Sequence, residues 1–159
     1  MPYILKELRP FYDDLISKII VGFKTATDIE IGIWANEFKA HIMYSKPEVF
    51  DGEFNYFLTK LVKKLNWVGD VMTYYAYSES ATIIQKLVME CLTIYSSQQS
   101  YFNYNRAIGM LTCCGLELRR RYGTKSIMAT TFLQIITKKL YDGEIAAYED
   151  KKIEINGDV

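Results

Sequence analysis

Apolar residues recur at spacings of three and four through most windows of this chain, the period of helices that bury one face. Phe11, Leu15, Ile19, Ile20 and Phe23 predict a first helix over Phe11 to Lys24. Pro10 suits its first turn, and Asp13 and Asp14 suit the positive end of its dipole. Asp28 is a suitable N-cap for a second helix, Ile29 to Met43, although Ile29, Ile31 and Ile33 also alternate as a strand would. Ser45-Lys46-Pro47 is expected to stop it. Asp51-Gly52-Glu53 opens a third helix through about Leu65, with Phe54, Phe57, Leu58, Leu61, Val62 and Leu65 inward. Val68 to Ser97 reads as helical, in one piece or in two divided at Ser78-Glu79-Ser80. Beyond a polar loop over Ser96 to Ser100, a long helix from Tyr101 to Tyr122 ends at Gly123, as a left-handed C-terminal glycine would end it. Ser126 to Tyr141 and Gly143 to Ile153 complete the pattern, and Asn156-Gly157-Asp158 is turn chemistry. The expected fold is all-α: one domain, residues 1–159, a bundle of about six helices with short loops.

Charge narrows the function. Nineteen basic residues balance nineteen acidic ones, so the excess that grips phosphate backbones is absent and generic nucleic-acid binding is disfavoured. No apolar run is long enough to span a bilayer, and Met1-Pro2-Tyr3-Ile4-Leu5-Lys6-Glu7 lacks a basic segment followed by an apolar one, so the expected compartment is the cytoplasm, away from membranes.

The titratable residues remove further chemistry. A single histidine, His41, excludes multi-histidine zinc sites. Cys113 and Cys114 point about 100° apart on a helix, so they neither pair nor share a metal, and buried reduced thiols are expected. The chain has no GxxxxGK[ST] loop, no GxGxxG after a strand, no GxSxG and no paired ExxE helices of the magnesium-binding kind. No cofactor or metal is expected, and catalysis is the weaker expectation.

The segment Tyr101 to Tyr122 carries the strongest candidate chemistry. Asn105, Gly109, Leu116 and Arg120 fall within a stripe about 60° wide. A glycine in a helix interior costs roughly 1 kcal/mol against alanine, and this helix holds two, Gly109 and Gly115, so something is expected to approach its backbone closely. Glu117 can pair with Arg120 or Arg121, and Arg119-Arg120-Arg121 complements the negative end of the dipole. The same guanidinium groups match phosphate or carboxylate. The chain has 13 tyrosines against 8 phenylalanines; Tyr74, Tyr75 and Tyr77 cluster, as do Tyr101 and Tyr104. Tyrosine suits a stacking platform, a protein interface or an amphipathic core.

Three stretches resemble a family of small uncharacterised bacteriophage and prophage proteins. They are Met1-Pro2-Tyr3-Ile4; Gly52-Glu53-Phe54-Asn55-Tyr56-Phe57-Leu58-Thr59; and Asn105, Gly109-Met110-Leu111, Cys113, Leu116-Glu117 and Arg120-Arg121, followed by Tyr148-Glu149-Asp150-Lys151-Lys152-Ile153 and Asn156-Gly157-Asp158-Val159. Family members begin MPYI, carry GELNY-type and GVLE-type helices ending in ExYRR, and finish YEDxKIxxNGDV. Thr112, Gly115 and Arg119 stand where the family has Glu, Lys and Tyr, and Gly123 to Leu140 is an insertion relative to it. The resemblance implies a phage setting, in the host cytoplasm, and action on the host, including its immune signalling.

Together these readings give a leading expectation: a non-enzymatic, homo-oligomeric counter-defence protein that sequesters a small anionic, nucleotide-like ligand. Arg120 and Arg121 would hold phosphate with help from Arg106, Asn105 would bond a base or sugar, and Tyr104 or Tyr101 would stack. The alternatives are a protein–protein inhibitor of a host effector or a virion interaction module, and then an enzyme of nucleotide metabolism.

Overall fold

A computed structural model describes residues 4–45, 47–69, 74–97 and 99–157. Its α-helices are α1 (Arg9–Gly22), α2 (Asp28–Ile42), α3 (Pro47–Lys64), α4 (Tyr74–Ser96), α5 (Tyr101–Tyr122), α6 (Ile127–Leu140) and α7 (Ala146–Asn156). Short 3-10 turns lie at Lys6–Leu8, Phe23–Thr25 and Gly123–Ser126, and a π turn at Tyr141–Ile145. No strand occurs among the described residues, so the all-α expectation holds. The helix count does not: the described residues form seven α-helical segments rather than about six.

The core is built around α3. Its expected inward residues, Phe54, Phe57, Leu58, Leu61, Val62 and Leu65, are all buried. On one side α1 packs against α3 through Tyr12, Leu15, Ile16 and Ile19; on the other lies α5, with Ala107, Met110, Leu111, Cys114 and Leu118 inward. Helix α4 packs on α2, and α6 covers the far side of α5. A contiguous aromatic cluster joins these layers: Phe38 lies 4.7 Å from Phe54 and 4.6 Å from Phe57, and Tyr12 closes on both Phe38 and Phe57.

Three tyrosine hydroxyls tie neighbouring helices to α3 or α3 to its neighbour. Tyr12 donates to Glu53 Oε1, Tyr56 to Asp13 Oδ1, and Tyr95 to Asp51 Oδ1, each at 2.7 Å. Glu53 is wholly buried, and its other carboxylate oxygen has no hydrogen-bond partner. Burial first, then the bond to Asp13, push the Tyr56 hydroxyl up to about 12; Tyr12 and Tyr95 are raised by the same two causes.

Several boundaries differ from the sequence expectations for physical reasons. Thr27, not Asp28, caps α2: its hydroxyl accepts from the Glu30 backbone while the Glu30 carboxylate accepts from Thr27 N–H. The Ile29–Ile33 stretch is helical, with only Ile31 of the three isoleucines buried. Helix α3 begins at Pro47, one turn before Asp51, since proline is tolerated at a first helical position. Asp13 does not serve the α1 dipole, because that helix starts at Arg9; it accepts from Tyr56 and lies 3.8 Å from Lys60. Helix α4 begins at Tyr74 rather than Val68 and runs through Ser78-Glu79-Ser80 unbroken. Gly123 has φ +57° with ψ −131°, a glycine conformation outside the left-handed helical region. Gly143 does not separate two helices: α6 continues through the π turn into α7. The stretch Gly123 to Leu140 contributes to the core, since Phe132, Leu133, Ile136 and Leu140 are buried. The side chains of Tyr74, Tyr75 and Tyr77 lie outside the described residues, as do Met1 to Tyr3, Asp158 and Val159.

Tyr12→Phe should therefore cost about 2 kcal/mol or more, since it leaves a second oxygen of the buried Glu53 carboxylate unpartnered. Urea unfolding of the variant against the native chain measures it; a loss below about 0.5 kcal/mol would show that this bond contributes little.

Candidate functional site

The fifth helix is two-faced. Its inner side is core, while its outer side exposes Phe102, Asn105, Gly109, Thr112, Cys113, Leu116 and Arg120. Phe102 and Leu116 are 71% and 60% exposed. Ser100 starts the helix by accepting from Asn103 N–H. A groove flanks each side of this ridge. One, of about 620 Å³, lies against α3 and is lined by Asp51, Gly52 and Asn55 together with Arg106, Gly109, Met110, Cys113, Leu116, Glu117 and Arg120. The other, of about 500 Å³, lies against α6 and the π turn, between Leu111, Thr112 and Gly115 on one wall and Leu133, Thr137 and Tyr141 on the other.

Both ends of the α3-side groove carry a paired charge. At one end Arg106 donates through Nε and Nη2 to the two oxygens of Asp51, at 3.1 and 3.0 Å. The same guanidinium lies over the rings of Phe50, Tyr95 and Phe102. At the other end Arg120 donates to both oxygens of Glu117, at 3.2 and 2.6 Å. The Arg120 hydrogen bonds hold the Glu117 carboxyl down at about 2, below its ordinary 4.5. Two guanidinium groups thus meet two carboxylates, and these four side chains sum to zero.

The six residues expected to form one ligand site do not converge. Arg106 and Arg120 share the groove but stand about 21 Å apart along the helix axis. Arg121 is exposed on another side, its guanidinium 6.0 Å from the Tyr122 ring. Asn105 is exposed on the ridge and is not among the residues lining the groove. Tyr104 is buried, and its ring packs 5.4 Å from that of Tyr148; Tyr101 meets the same ring edge-on at 5.3 Å. That Asp51 and Asn55 complete the groove left no signal in the sequence, because their partner helix lies some fifty residues further along.

The two helix glycines behave differently. A Cβ on Gly115 would meet the Leu133 side chain at 3.9 Å, an ordinary van der Waals contact, so nothing among the described residues requires glycine there. A Cβ on Gly109 would meet nothing within 4 Å. The close approach expected there is not made by any of the described residues. Cys91 and Cys114 are buried, with Cys114 Sγ 3.4 Å from Thr59 Oγ1, but Cys113 is exposed, contrary to the expectation of buried thiols. Burial pushes the Cys114 thiol up to about 12. His41 is half-buried and stacks on Phe11 with centroids 3.8 Å apart.

Among the described residues no three His, Cys, Asp or Glu side chains gather as metal ligands, and no helix is long and apolar enough to cross a membrane. Fold and face together define a helical bundle whose α5 ridge, with Phe102 and Leu116 exposed among polar side chains, lies between two grooves. In comparisons with known proteins, no protein family, curated protein or solved structure matches the chain.

The Glu117–Arg120 pair has a definite pH signature. A carboxyl held at about 2 adds its contribution in full above 4.5, and loses it as pH falls towards 2. An NMR titration should place Glu117 near the lower value in the native chain and return it towards 4.5 in Arg120→Ala. An unchanged Glu117 midpoint in that variant would refute the pairing.

Proposed function

We propose that this chain is a non-catalytic interaction protein whose α5 ridge and flanking grooves receive a helical element of another polypeptide. The observation that carries this reading is Gly109. It is an open notch between two exposed apolar side chains, Phe102 and Leu116, on a helix whose interior is fully packed. Notches of this kind let a second helix backbone approach, and apolar knobs beside them give it something to grip.

Charge favours the same class of partner over a free nucleotide. The arginines on the groove are already matched by Asp51 and Glu117 in bidentate geometry. A phosphate at either end would meet a carboxylate of its own sign already bonded to the guanidinium, and only the outer N–H groups would be left to it. A polypeptide that carries both signs can exchange partners with the two pairs at no net loss of charge matching. The phage-type resemblance supplies a setting for the reading, a protein acting on a host effector or within a virion.

Two measurements test it. A ligand at about 1,000 times its Kd stabilises by roughly 4 kcal/mol, equivalent to a Tm shift of ~10 °C for a domain of this size. Linear nucleotides, cyclic di- and trinucleotides and cyclic ADP-ribose isomers should each leave Tm unchanged; a shift of that size with one class would overturn the reading in favour of a nucleotide binder. Phe102→Ser with Leu116→Arg should leave helicity unchanged, since both side chains are exposed, and should abolish stoichiometric capture of a host or virion protein by the native chain. Capture retained by that double variant would remove α5 from the binding surface.

A further inference from the structure

The two grooves beside α5 differ in how their charges are matched. On the α3 side both guanidinium groups are held by carboxylates. On the α6 side the charged side chains are Arg119, Lys138 and Asp142. Lys138 donates to Asp142 at 2.7 Å, so that pair neutralises itself. Arg119 is exposed and has no carboxylate partner among the described residues. One positive charge is therefore left unmatched in this groove.

The other lining residues sort into an apolar strip and a set of unspent donors. Leu111 and Leu133 are buried and line the groove together with Ile108 and Leu116. Thr130 and Thr137 give their hydroxyl protons to carbonyl oxygens of their own helix, those of Ile127 and Leu133. Thr112, Gln134 and the half-exposed Tyr141 make no hydrogen bond to a described residue. The shape is elongated. Helix α6 returns beside α5 after the Gly123–Ser126 turn, which puts Arg119 near the turn and Ile108 and Tyr141 towards the far end. From Ile108 to Arg119 the rise along α5 is about 16 Å. A volume of about 500 Å³ spread over that length is a trough rather than a round cavity.

We infer that the α6-side groove binds an elongated amphipathic monoanion of the fatty-acid type. Its carboxylate lies on Arg119, its alkyl chain runs along Leu111 and Leu133, and its tail ends against Tyr141. A carboxylate matches the planar donor fork of a guanidinium. A single unmatched cation suits a single negative charge, and a phosphate ester of higher charge would find no second one. Methylene groups laid on the apolar strip leave water, a gain that grows with chain length. Small-molecule sites combine a mostly apolar lining with a few placed polar groups in volumes of roughly 300–1,000 Å³. With such a ligand in place, Phe102 and the α3-side groove stay open to a polypeptide.

Amide NMR titrations of the full chain test the assignment, with dodecanoate, octanoate, 1-octanol and octyltrimethylammonium as probes. Dodecanoate should saturate and shift the amides of Leu111, Gly115, Leu133 and Thr137. Octanoate, with four fewer methylenes to bury, should bind at least about tenfold more weakly, and 1-octanol more weakly again. Octyltrimethylammonium should leave those amides unmoved. Arg119→Gln changes an exposed side chain, so circular dichroism should be unaltered, while the dodecanoate Kd should rise at least about tenfold. Phe102→Ser lies outside the groove and should leave that Kd unchanged. The inference is overturned if dodecanoate gives no saturable shift, if octanoate and 1-octanol bind equally, or if Arg119→Gln leaves the Kd where it was. Binding lost in Phe102→Ser but kept in Arg119→Gln would place the ligand on the ridge instead, and would equally overturn it.

Discussion

Burial of α3 is the constraint on which the rest of this structure depends. A helix enclosed by α1, α2 and α5 can carry polar side chains only where a neighbour satisfies them. Glu53 and Thr59 are such residues, and each finds a partner: Tyr12 from α1 for Glu53, Cys114 from α5 for Thr59. At the rim of α3, Asp51 accepts at once from Tyr95 of α4 and from Arg106 of α5. Tyr56 reaches the other way, to Asp13 of α1. These polar links fix which face of each surrounding helix meets α3, while the apolar cluster around Phe38, Phe54 and Phe57 supplies most of the burial.

The abundance of tyrosine follows from that arrangement. A phenol buries an aromatic ring and still delivers a donor to a carboxylate at the edge of the core. Tyr12, Tyr56 and Tyr95 are used this way, and Tyr101 and Tyr104 pack on Tyr148, where α5 meets α7. These five tyrosines thus serve helix docking, whereas Tyr44 and Tyr141 are exposed. Beside α5, Tyr122 lies under the Arg121 guanidinium at 6.0 Å, and the half-exposed Tyr141 shares a groove with Arg119. Arg106 lies over Phe50, Tyr95 and Phe102, but the two oxygens of Asp51 already hold it.

Helix α5 shows how one element can stabilise the fold and present a surface. Its inner residues interlock with α3 and α6, so the helix is rigidly held. Its outer face is consequently preorganised, and a partner meeting it loses little conformational freedom in that backbone. Gly115 and Gly109 divide along the same line. A Cβ on the first would touch Leu133 of α6 at an ordinary 3.9 Å, and one on the second would meet nothing within 4 Å among the described residues.

Local signals reached far into this structure. Helical periodicity located α1, α2, α5 and α6 to within a few residues, and the inward residues of α3 were legible from spacing alone. The sequence by itself determined the all-α class, the interior of α3 and the alignment of Asn105, Gly109, Leu116 and Arg120 on one stripe of α5, because each depends on residues within a few turns of one another. Only the tertiary structure decided which residues complete the grooves, which arginines are already neutralised and which glycine is open. Tyr12 meets Glu53 across 41 positions, Tyr95 meets Asp51 across 44 and Arg106 meets Asp51 across 55. Pairing over such separations leaves no period in the chain, because it is set by how whole helices dock around α3.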